Sequence, residues 1–574
     1  MLKRFLTYFE QYRKDLILSV VCVALESTFE LSIPLVMADI IDVGVANRDR
    51  GYILQRGVLM LVCALISLAL GALYARFAAR AGQGFGAQLR KAEYRKVQSF
   101  SFSNLDHFSI PSLITRLTGD VTVLQNTVSN GIRPMVRGPV MIVMATIMAM
   151  MLNMELAAVF FVALPLLGLC LFLIIRKMRP MYGKMQKALD LVNSIVQENL
   201  TAIRTVKSYV KGDSESKKFG AVNESFRGAS EGAFRYAALN MPCFQLIMYA
   251  TIICILWFGG NFIHQGTMQV GVLTGFLSYV LQILNSLMMI SNVFLMLSRS
   301  VTSGERILEV LDEPADILDG EGGHTVTRGE IEFDHVSFKY QKTGRRNVLS
   351  DVCLHILPGQ TVGVVGGTGS AKSSLVQLIP RLYDVTSGSL KIDGVDVRNY
   401  PLDHLRDAVG VVLQKNTLFS GTIRENLKWG NENADQKELD WACHIACVDE
   451  FLPRMPGGYE MDLGQGGVNV SGGQKQRLCI ARALLKRPKI LIFDDSTSAV
   501  DTATEAKICD GLKAELRDTT KIIVTQRIQA IENADLIVVM EDGKIDAAGT
   551  HEELLASNRI YRSMYEFQKK GAVA

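Results

Sequence analysis

Two adjacent carboxylates follow an apolar strand in the stretch KILIFDDSTSAVD, residues 489–501. An acid at the end of such a strand can hold Mg²⁺ through water, and we predict this role for Asp494. Asp495 follows at once, where a base could activate a water molecule, and we predict a catalytic role for it. The stretch therefore indicates the chemistry of a phosphate-hydrolysing enzyme.

A glycine-rich loop, GVVGGTGSAKSSL at 363–375, follows an apolar strand and precedes a helical run. Its backbone N–H groups can surround phosphate oxygens, and the helix N-terminus adds positive potential. We predict that Lys372 reaches the β- and γ-phosphates of ATP and that Ser373 ligates Mg²⁺. Ala371 replaces the Gly of the strict pattern, and its methyl group is tolerable if the residue has helical backbone angles. The predicted nucleotide-binding residues of the loop are Gly366, Gly367, Thr368, Gly369, Ser370, Ala371, Lys372, Ser373 and Ser374.

Three further stretches could complete a nucleotide site. In the run VNVSGGQKQRLCIARALL (468–485) we predict that a helix starts at SGGQ. Its N-terminus would be the second helix N-terminus, after that of the phosphate loop, at which an anion can bind. Gln414 follows another strand, and we predict that it acts in catalysis and at the metal. Tyr340 precedes the phosphate loop at a distance that allows an aromatic shelf for adenine. The predicted binding residues of the SGGQ stretch are Ser471, Gly472, Gly473 and Gln474.

The strands and helices predicted to position these residues lie C-terminal to a long apolar region of the chain. The 574-residue chain is too long for one compact core, and hydrophobic residues make up 49% of it. About six segments before residue 300 are long enough to span a membrane. They lie near 16–42, 55–78, 135–153, 156–176, 243–264 and 271–297. We predict an α-helical six-span membrane domain (1–311), a linker (312–328) and an α/β P-loop nucleotide-binding domain with a helical subdomain (329–574).

Charge predicts the orientation of the spans. Two long loops, 79–134 and 177–242, carry most of the cations of this region, and Arg133 and Arg137 are counted among them. Short loops carry few, so we expect the N-terminus, both long loops and the nucleotide domain to be cytosolic. The net charge of +4 does not indicate nucleic acid. Ten scattered cysteines without CxxC show neither a disulfide framework nor a zinc ribbon.

Polar residues within the spans allow two interpretations. Glu26 and Glu30 lie one turn apart in the first span, where a carboxylate is costly. They could contact substrate or protons, but a water-filled vestibule or a partner on a neighbouring helix is favoured. The sixth span contains polar residues that could line a path or bond between helices. These residues are Asn285, Ser286, Ser291 and Asn292.

The chain resembles an ATP-binding cassette (ABC) exporter half-transporter across nearly its whole length. The resemblance lies in the phosphate loop, Gln414, SGGQ, the Asp494 strand, the SAVD turn (498–501) and the six spans before them. It implies that two nucleotide domains hold two ATP molecules head to tail, each between the phosphate loop of one chain and the SGGQ signature of the other. It also implies cytosolic coupling helices, expected around Asp106–Pro111 and Val210–Ser216, the second touching the partner.

Three residues depart from the family pattern. Where the family has Glu after the Mg²⁺ acid, Asp495 is shorter by one methylene, a shift of more than about 1 Å that can cost ~10²-fold in rate. Where it has His after Thr525, Gln526 can donate a hydrogen bond but cannot take up a proton. Ala371 is the third departure. We therefore predict a site in which Asp495, Gln526 and Gln414 hydrolyse ATP poorly.

The intact signature predicts an unequal pair. It would complete a partner's site, so we expect a heterodimer with a second half-transporter that supplies Glu and His. The predicted function is ATP-driven export of amphipathic, drug-like or lipid-like substrates across a bacterial plasma (inner) membrane. A nucleotide-sensing regulatory or scaffold subunit is the alternative. We expect ATP and Mg²⁺ as cofactors, the lipid bilayer as surroundings, and no nucleic acid as partner.

Overall fold

A computed structural model of the chain describes residues 2–340, 346–496 and 500–571, except the side chains at 2, 291, 292, 294, 295, 298, 570 and 571. The predicted polar positions Ser291 and Asn292, and part of the SAVD turn (498–501), therefore lie outside the described residues. The chain forms two compact units. We call residues 1–98 with 111–312 the helical unit, and residues 99–110 with 313–574 the mixed unit.

The first 312 residues are helical. The helices are α1 Leu2–Thr7, α2 Arg13–Asp39, α3 Arg50–Gln98, α4 Phe102–His107, α5 Ile110–Thr115, α6 Val121–Leu152, α7 Met154–Thr201, α8 Ile203–Ser208, α9 Gly212–Ala237, α10 Asn240–His264 and α11 Val270–Asp312. Among the described residues, six helical stretches are long and apolar enough to cross a membrane. They are Glu10–Val45, Arg50–Gln98, Ile110–Leu152, Met154–Thr201, Gly212–His264 and Val270–Ile290. This confirms the six predicted spans, several of which continue well past bilayer length.

Aromatic and aliphatic side chains form the core of the helical unit. Phe160 of α7 stacks on Phe276 of α11, with ring centroids 5.3 Å apart. The fully buried Tyr279 of α11 donates its hydroxyl to the backbone oxygen of Leu31 in α2 at 2.8 Å. A buried tyrosine needs such a partner. These contacts join the first, fourth and sixth spans.

The two acids of α2 have partners on a neighbouring helix. Glu26 lies 2.5 Å from Arg133 and 3.4 Å from Arg137, and Arg137 lies 2.7 Å from Glu30. Both arginines belong to α6, so the expectation of a helical partner is confirmed. Counting these two arginines as loop cations was wrong, because they neutralise carboxylates inside the helix bundle.

The predicted coupling-helix tips lie beside two short helices. Helix α4 begins at a capping box in which the Ser101 hydroxyl accepts from the Asn104 backbone N–H. It ends at His107, so the tip predicted around Asp106–Pro111 overlaps only its last turn. Helix α8 ends before Val210, whose φ of +53° interrupts the helical path ahead of α9. The first predicted tip also includes the start of α5 and the second includes the start of α9, and the coupling role of these segments stays a prediction.

The mixed unit contains two main sheets. Its strands are β1 Ile331–Phe338, β2 Leu349–Ile356, β3 Thr361–Gly366, β4 Ser387–Ile392, β5 Val395–Asp396, β6 Val409–Val412, β7 Gly421–Thr422, β8 Asp462–Leu463, β9 Ile490–Asp494, β10 Thr520–Val524, β11 Leu536–Glu541 and β12 Lys544–Gly549. One sheet has the order β12-β11-β3-β10-β9-β6, and its strands are parallel except β12. The other, β2-β1-β4-β5, is antiparallel.

The mixed unit also contains helices after β1, several of which contact strands of the parallel sheet. They are α12 Lys372–Leu378, α13 Leu402–Ala408, α14 Ile423–Lys428, α15 Gln436–Ile445, α16 Gly472–Leu485, α17 Thr502–Glu515, α18 His551–Ser557 and α19 Arg559–Gly571. Strands β9 and β10 are buried at every position, which is typical of parallel strands covered on both faces. A helical unit followed by this α/β unit confirms the predicted fold class.

Candidate functional site

The candidate site lies where three parallel strands end. Strand β10 lies between β3 and β9, and Val524 pairs with Val364 on one side and with Asp494 on the other. The segments that leave these strands therefore meet at one edge of the sheet, where ligands of open α/β sheets bind. This topology brings together the phosphate loop, the paired acids and Gln526, although they are distant in sequence.

A pocket of about 310 Å³ opens at this edge. It is lined by Val348, Thr368, Gly369, Ser370, Ala371, Lys372, Ser373, Ser374, Gln414, Asp495, Val524 and Gln526. Seven of the nine phosphate-loop residues predicted for ATP, and all three residues predicted for catalysis, thus line one cavity. Its described lining does not include Tyr340 or the SGGQ signature.

The phosphate loop wraps closely around the Lys372 amine. The Lys372 Nζ atom donates to the backbone oxygens of Gly366 and Gly367 at 2.9 and 2.8 Å. Burial lowers the pKa of Lys372, while Asp495 and Asp494 act in the opposite direction. At Gly366 a Cβ atom would lie 2.2 Å from the Met540 backbone oxygen, so this position requires glycine. The amine is held at the rim of the loop, where phosphate oxygens would bind.

Ala371 has a left-handed backbone, with φ of +69° and ψ of +22° just before α12. The condition under which the sequence would tolerate alanine, a right-handed helical backbone, is therefore not met at this position. A non-glycine residue in this region costs about 1–2 kcal/mol, because its Cβ approaches the carbonyl oxygen. The loop closes in a shape that favours glycine, and the sequence supplies alanine.

The predicted metal residues form an oxygen-rich cluster. The Ser373 hydroxyl donates to Asp494 Oδ1 at 2.7 Å. Asp494 is buried, and burial raises its pKa; the Ser373 hydrogen bond lowers it and the charge of Asp495 raises it. Gln414, which follows β6, donates from Nε2 to Asp495 Oδ2 at 3.3 Å. Hydroxyl, carboxylate and amide oxygens are the ligands that Mg²⁺ prefers, so the cluster fits this ion beside a phosphate group.

Asp495 and Gln526 follow the neighbouring strands β9 and β10 and line the same pocket. Asp495 has a φ of +47°, and its backbone N–H donates to the Val524 oxygen at 2.9 Å. Gln526 is exposed in the pocket, and its backbone oxygen accepts from Gln568 Nε2 in α19 at 2.6 Å. The link to Gln568 was not predicted, because nothing in the sequence pattern of α19 points to the pocket.

Tyr340 lies beside the phosphate loop. Its hydroxyl is 2.8 Å from Ser374 Oγ, and its ring packs edge-on against Tyr383 at 5.1 Å. Tyr340 is 38% exposed, and its role as a shelf for adenine stays a prediction. Tyr383 in turn donates to Asp106 Oδ2 of α4 at 2.9 Å. Burial raises the pKa of Tyr383, and so does Asp106. Neither the contact of Tyr383 with Tyr340 nor its contact with Asp106 was predicted from the sequence.

The SGGQ signature forms the exposed start of α16. The Ser471 hydroxyl accepts from the Gln474 backbone N–H, and Gln474 Oε1 accepts from the Ser471 backbone N–H at 2.9 Å. This capping box fixes the first turn, and the remaining N–H groups point out of the helix end. The signature therefore has the geometry predicted for an anion-binding helix terminus.

Comparison with protein families gives two matches. The family of the ABC transporter transmembrane region matches residues 16–287, and the ABC transporter family matches residues 349–498. The first match spans most of the six apolar stretches, and the second contains the phosphate loop, Gln414, the signature and the paired acids.

Relatives match the chain from end to end. An uncharacterized ABC transporter ATP-binding protein of Bacillus subtilis, YfiB, is 39% identical over 99% of this chain and 98% of its own length. YgaD, whose name provisionally assigns it to multidrug export as an ATP-binding/permease protein of the same bacterium, is 32% identical over 99% of both chains. A bacterial Atm1-family ABC exporter with ATP bound has a similar fold, with a TM-score of 0.84 at 23% identity, covering 97% of this chain and 99% of that chain.

The matched ATPase domain binds ATP with Mg²⁺, which agrees with the loop, hydroxyl and carboxylates of the pocket. The membrane region and the ATPase domain occur in the same order over the full length of the relatives. The chain therefore belongs to the ABC transporter family, as an ATP-driven exporter whose membrane helices and ATPase lie in one polypeptide.

Proposed function

We propose that the ATP site formed by this chain's own phosphate loop binds nucleotide but hydrolyses it slowly. The observation that carries the proposal is the pair of side chains facing the pocket: Asp495, where the family has Glu, and Gln526, where it has His. The shorter carboxylate stands farther from a terminal phosphate. An amide also cannot take up a proton. Water at this site is then oriented weakly and activated weakly.

The loop itself supports the proposal. Ala371 holds a left-handed backbone at a steric cost that glycine would avoid. Closing the loop around phosphate therefore starts from a strained backbone. In contrast, the groups assigned to binding are present: Lys372 for phosphate, Ser373 and Asp494 for Mg²⁺, and Tyr340 for the base. Binding without efficient cleavage is the behaviour expected of this combination.

We further propose that the chain works with a different half-transporter. Its signature, Ser471 to Gln474, is complete, and Ser471 and Gly472 are exposed, so it can complete an ATP site on another chain. Two copies of this chain would hold two weak sites. A partner that supplies Glu and His would form one efficient site with this signature, while the site of this chain retains ATP between cycles.

The domain limits and the orientation are part of the proposal. We assign residues 1–311 to the membrane domain, 312–328 to a linker and 329–574 to the nucleotide domain. The cations of the long loops favour a cytosolic N-terminus and nucleotide domain. Relatives from Bacillus subtilis and Mycobacterium tuberculosis favour the plasma membrane of a bacterium.

The substrate class proposed is amphipathic, drug-like or lipid-like. The third span is rich in methionine, and flexible thioethers suit a surface that accepts many shapes. The name of YgaD, which refers to multidrug export, supports the same class. In addition, Arg133 and Arg137 neutralise Glu26 and Glu30, which favours substrates held mainly by apolar contacts.

The decisive experiment measures ATPase activity of the purified chain alone and of the chain co-expressed with a half-transporter that has Glu and His at the matching positions. We expect slow phosphate release and retained ATP for the lone chain, and brisk turnover for the pair. Brisk turnover by the lone chain would falsify the slow-site proposal. Dye uptake into inside-out vesicles that contain the pair tests the substrate class. If no amphipathic dye is taken up, the proposed substrate class is rejected.

A further inference from the structure

Three side chains with metal-binding atoms meet on the outer face of the antiparallel sheet. They are His335 of β1 and Asp351 and Cys353 of β2, and one ligand atom of each lies within 4.8 Å of the others. His335 Nδ1 is 2.7 Å from Asp351 Oδ1 and 3.5 Å from Cys353 Sγ. All three are exposed, so an ion could reach them from solvent without any rearrangement of the core.

Two β-bulges aim these side chains at one another. Phe333 pairs with Leu354 and Val336 with Val352, so two residues of β1 oppose Cys353 alone. The extra residue is His335, with a φ of +50°. A bulge inserts one residue and turns its side chain away from the regular alternation. Cys353 and the bulged His335 therefore share the outer face.

The second bulge lies on the other strand. Val336 pairs with Val352 and Phe338 with Leu349, so two residues of β2 oppose one of β1. Asp351 has a φ of +53°, and its backbone N–H donates to the Ser337 hydroxyl at 3.0 Å. His and Asp are among the few residues that adopt this backbone readily. The two bulges flank one strand pair and bring an imidazole and a carboxylate to the same point.

We propose that His335, Asp351 and Cys353 form a binding site for Zn²⁺, with the fourth position open to solvent. Imidazole, carboxylate and thiolate are the ligand types that Zn²⁺ accepts. A hard ion such as Mg²⁺ would instead require oxygen ligands throughout. The site is separate from the nucleotide pocket and does not depend on how fast that pocket hydrolyses ATP.

The distances suit a tetrahedral ion. With Zn–N, Zn–O and Zn–S bonds of about 2.0–2.3 Å, neighbouring ligand atoms lie roughly 3.3–3.8 Å apart. The His335–Cys353 separation of 3.5 Å already falls in this range. The His335–Asp351 separation of 2.7 Å is that of a hydrogen bond, and it opens by about 0.6 Å when the metal replaces the shared proton.

The neighbouring charged groups are already paired with one another. His355 Nε2 lies 2.8 Å from Glu330, and Lys391 lies 3.4 Å from both Glu332 and Asp334. His355 lies on the same strand as Cys353 but is paired with Glu330. It serves as a matched control for His335. Cys254, the other cysteine exposed among the described residues, serves as a control for Cys353.

Co²⁺ absorbance on the full-length chain, purified with a histidine-free tag and without nucleotide, tests the site. Co²⁺ takes the place of Zn²⁺ and gives a thiolate-to-metal absorption band only when a cysteine ligates it. We expect one such band at saturation with one Co²⁺ per chain, and its loss on adding one equivalent of Zn²⁺. The pH is held above neutrality, since Asp351 raises the pKa of His335 and a proton competes with the metal.

Asn replaces His335 and Asp351 in the variants, because Asn also adopts the left-handed backbone found at both positions. Cys353→Ser and His335→Asn should each weaken Co²⁺ binding by at least about 100-fold, since even groups that only support a ligand change affinity by roughly 10–100-fold. Asp351→Asn should weaken it by about 10-fold, while Cys254→Ser and His355→Gln should leave it unchanged. Absence of a thiolate band in the unmodified chain, or a band that survives Cys353→Ser, would overturn the proposal.

Discussion

The phosphate-loop pocket and the SGGQ helix terminus belong to the same mixed unit, but they differ in how completely they follow the family pattern. The pocket has three departures, at Ala371, Asp495 and Gln526. The SGGQ helix terminus has no departure from the pattern, and both hydrogen bonds of its capping box are present. The difference separates two tasks within one domain, because the pocket acts on the ATP held by this chain whereas the signature is proposed to act on another.

The contrast extends from residue types to backbone geometry. In the pocket, Ala371 and Asp495 both have positive φ values, at +69° and +47°. At the helix terminus, Ser471 has an ordinary extended backbone with a φ of −69°. Of the three departures in the pocket, Ala371 therefore also carries backbone strain, whereas Asp adopts a positive φ readily. A site that loses its catalytic groups can keep its binding groups, and the predictions below test that separation.

The largest expected effect comes from restoring the two catalytic groups of the pocket. The double variant Asp495→Glu, Gln526→His should raise ATP hydrolysis by the lone chain on the order of 10²-fold, because the carboxylate gains its missing reach and an imidazole can position water. Phosphate release at saturating Mg²⁺-ATP measures the effect.

Adding Lys372→Ala to the double variant is the control. The gain should then disappear, since it must arise at the phosphate loop that holds Lys372. An unchanged rate in the double variant would mean that the two departures are not what limits hydrolysis, and the comparison between pocket and signature would lose its basis.

The sequence predicted the framework of this comparison but not its details. Hydropathy is averaged over about 20 residues, so the six spans survive local irregularities, and the glycine loop and the paired acids are contiguous motifs. The left-handed backbone of Ala371 depends on how the loop closes between β3 and α12, which no residue type reveals. The contact between Asp106 and Tyr383 joins residues 277 positions apart, and only the folded mixed unit brings them together.

The second effect tests the signature in the restored background. There, Ser471→Ala should lower ATP hydrolysis by about 10- to 100-fold, because the hydroxyl caps α16 and is proposed to bind the phosphate held by the opposing copy. The measurement is again phosphate release, now by a pair of identical chains.

Thr550→Ala provides the matched control. Thr550 forms the same kind of capping box at the start of α18, outside the described lining of the pocket. Its loss should leave hydrolysis unchanged, so an equal fall in both variants would indicate that helix capping alone explains the effect of Ser471→Ala.

The third effect concerns binding rather than cleavage. Tyr340→Ala should weaken ATP binding by about 5- to 150-fold, since stacking of a base on an aromatic ring is worth ~1–3 kcal/mol. Tyr340→Phe keeps the ring and removes only the hydroxyl that contacts Ser374 at 2.8 Å, so it should change affinity less than about threefold. Titration with a fluorescent ATP analogue compares the two. Equal losses would mean that the hydroxyl, not the ring, supports the nucleotide.

The smallest effect separates backbone strain from chemistry in the pocket. Ala371→Gly removes a left-handed strain of about 1–2 kcal/mol, but glycine also gives the unfolded chain about 0.5–1 kcal/mol of extra freedom. The net gain of up to ~1.5 kcal/mol should raise the free energy of unfolding, measured by denaturant titration without nucleotide, and leave the hydrolysis rate of bound ATP unchanged. Gly369→Ala is the opposite variant in the same loop: φ is +84° there and an added Cβ meets nothing within 4 Å, so only backbone strain changes. A lower free energy of unfolding in Gly369→Ala together with a higher one in Ala371→Gly assigns the effect to the backbone. If Ala371→Gly instead raised the hydrolysis rate as strongly as the catalytic double variant, the slow site would result from loop shape and not from Asp495 and Gln526.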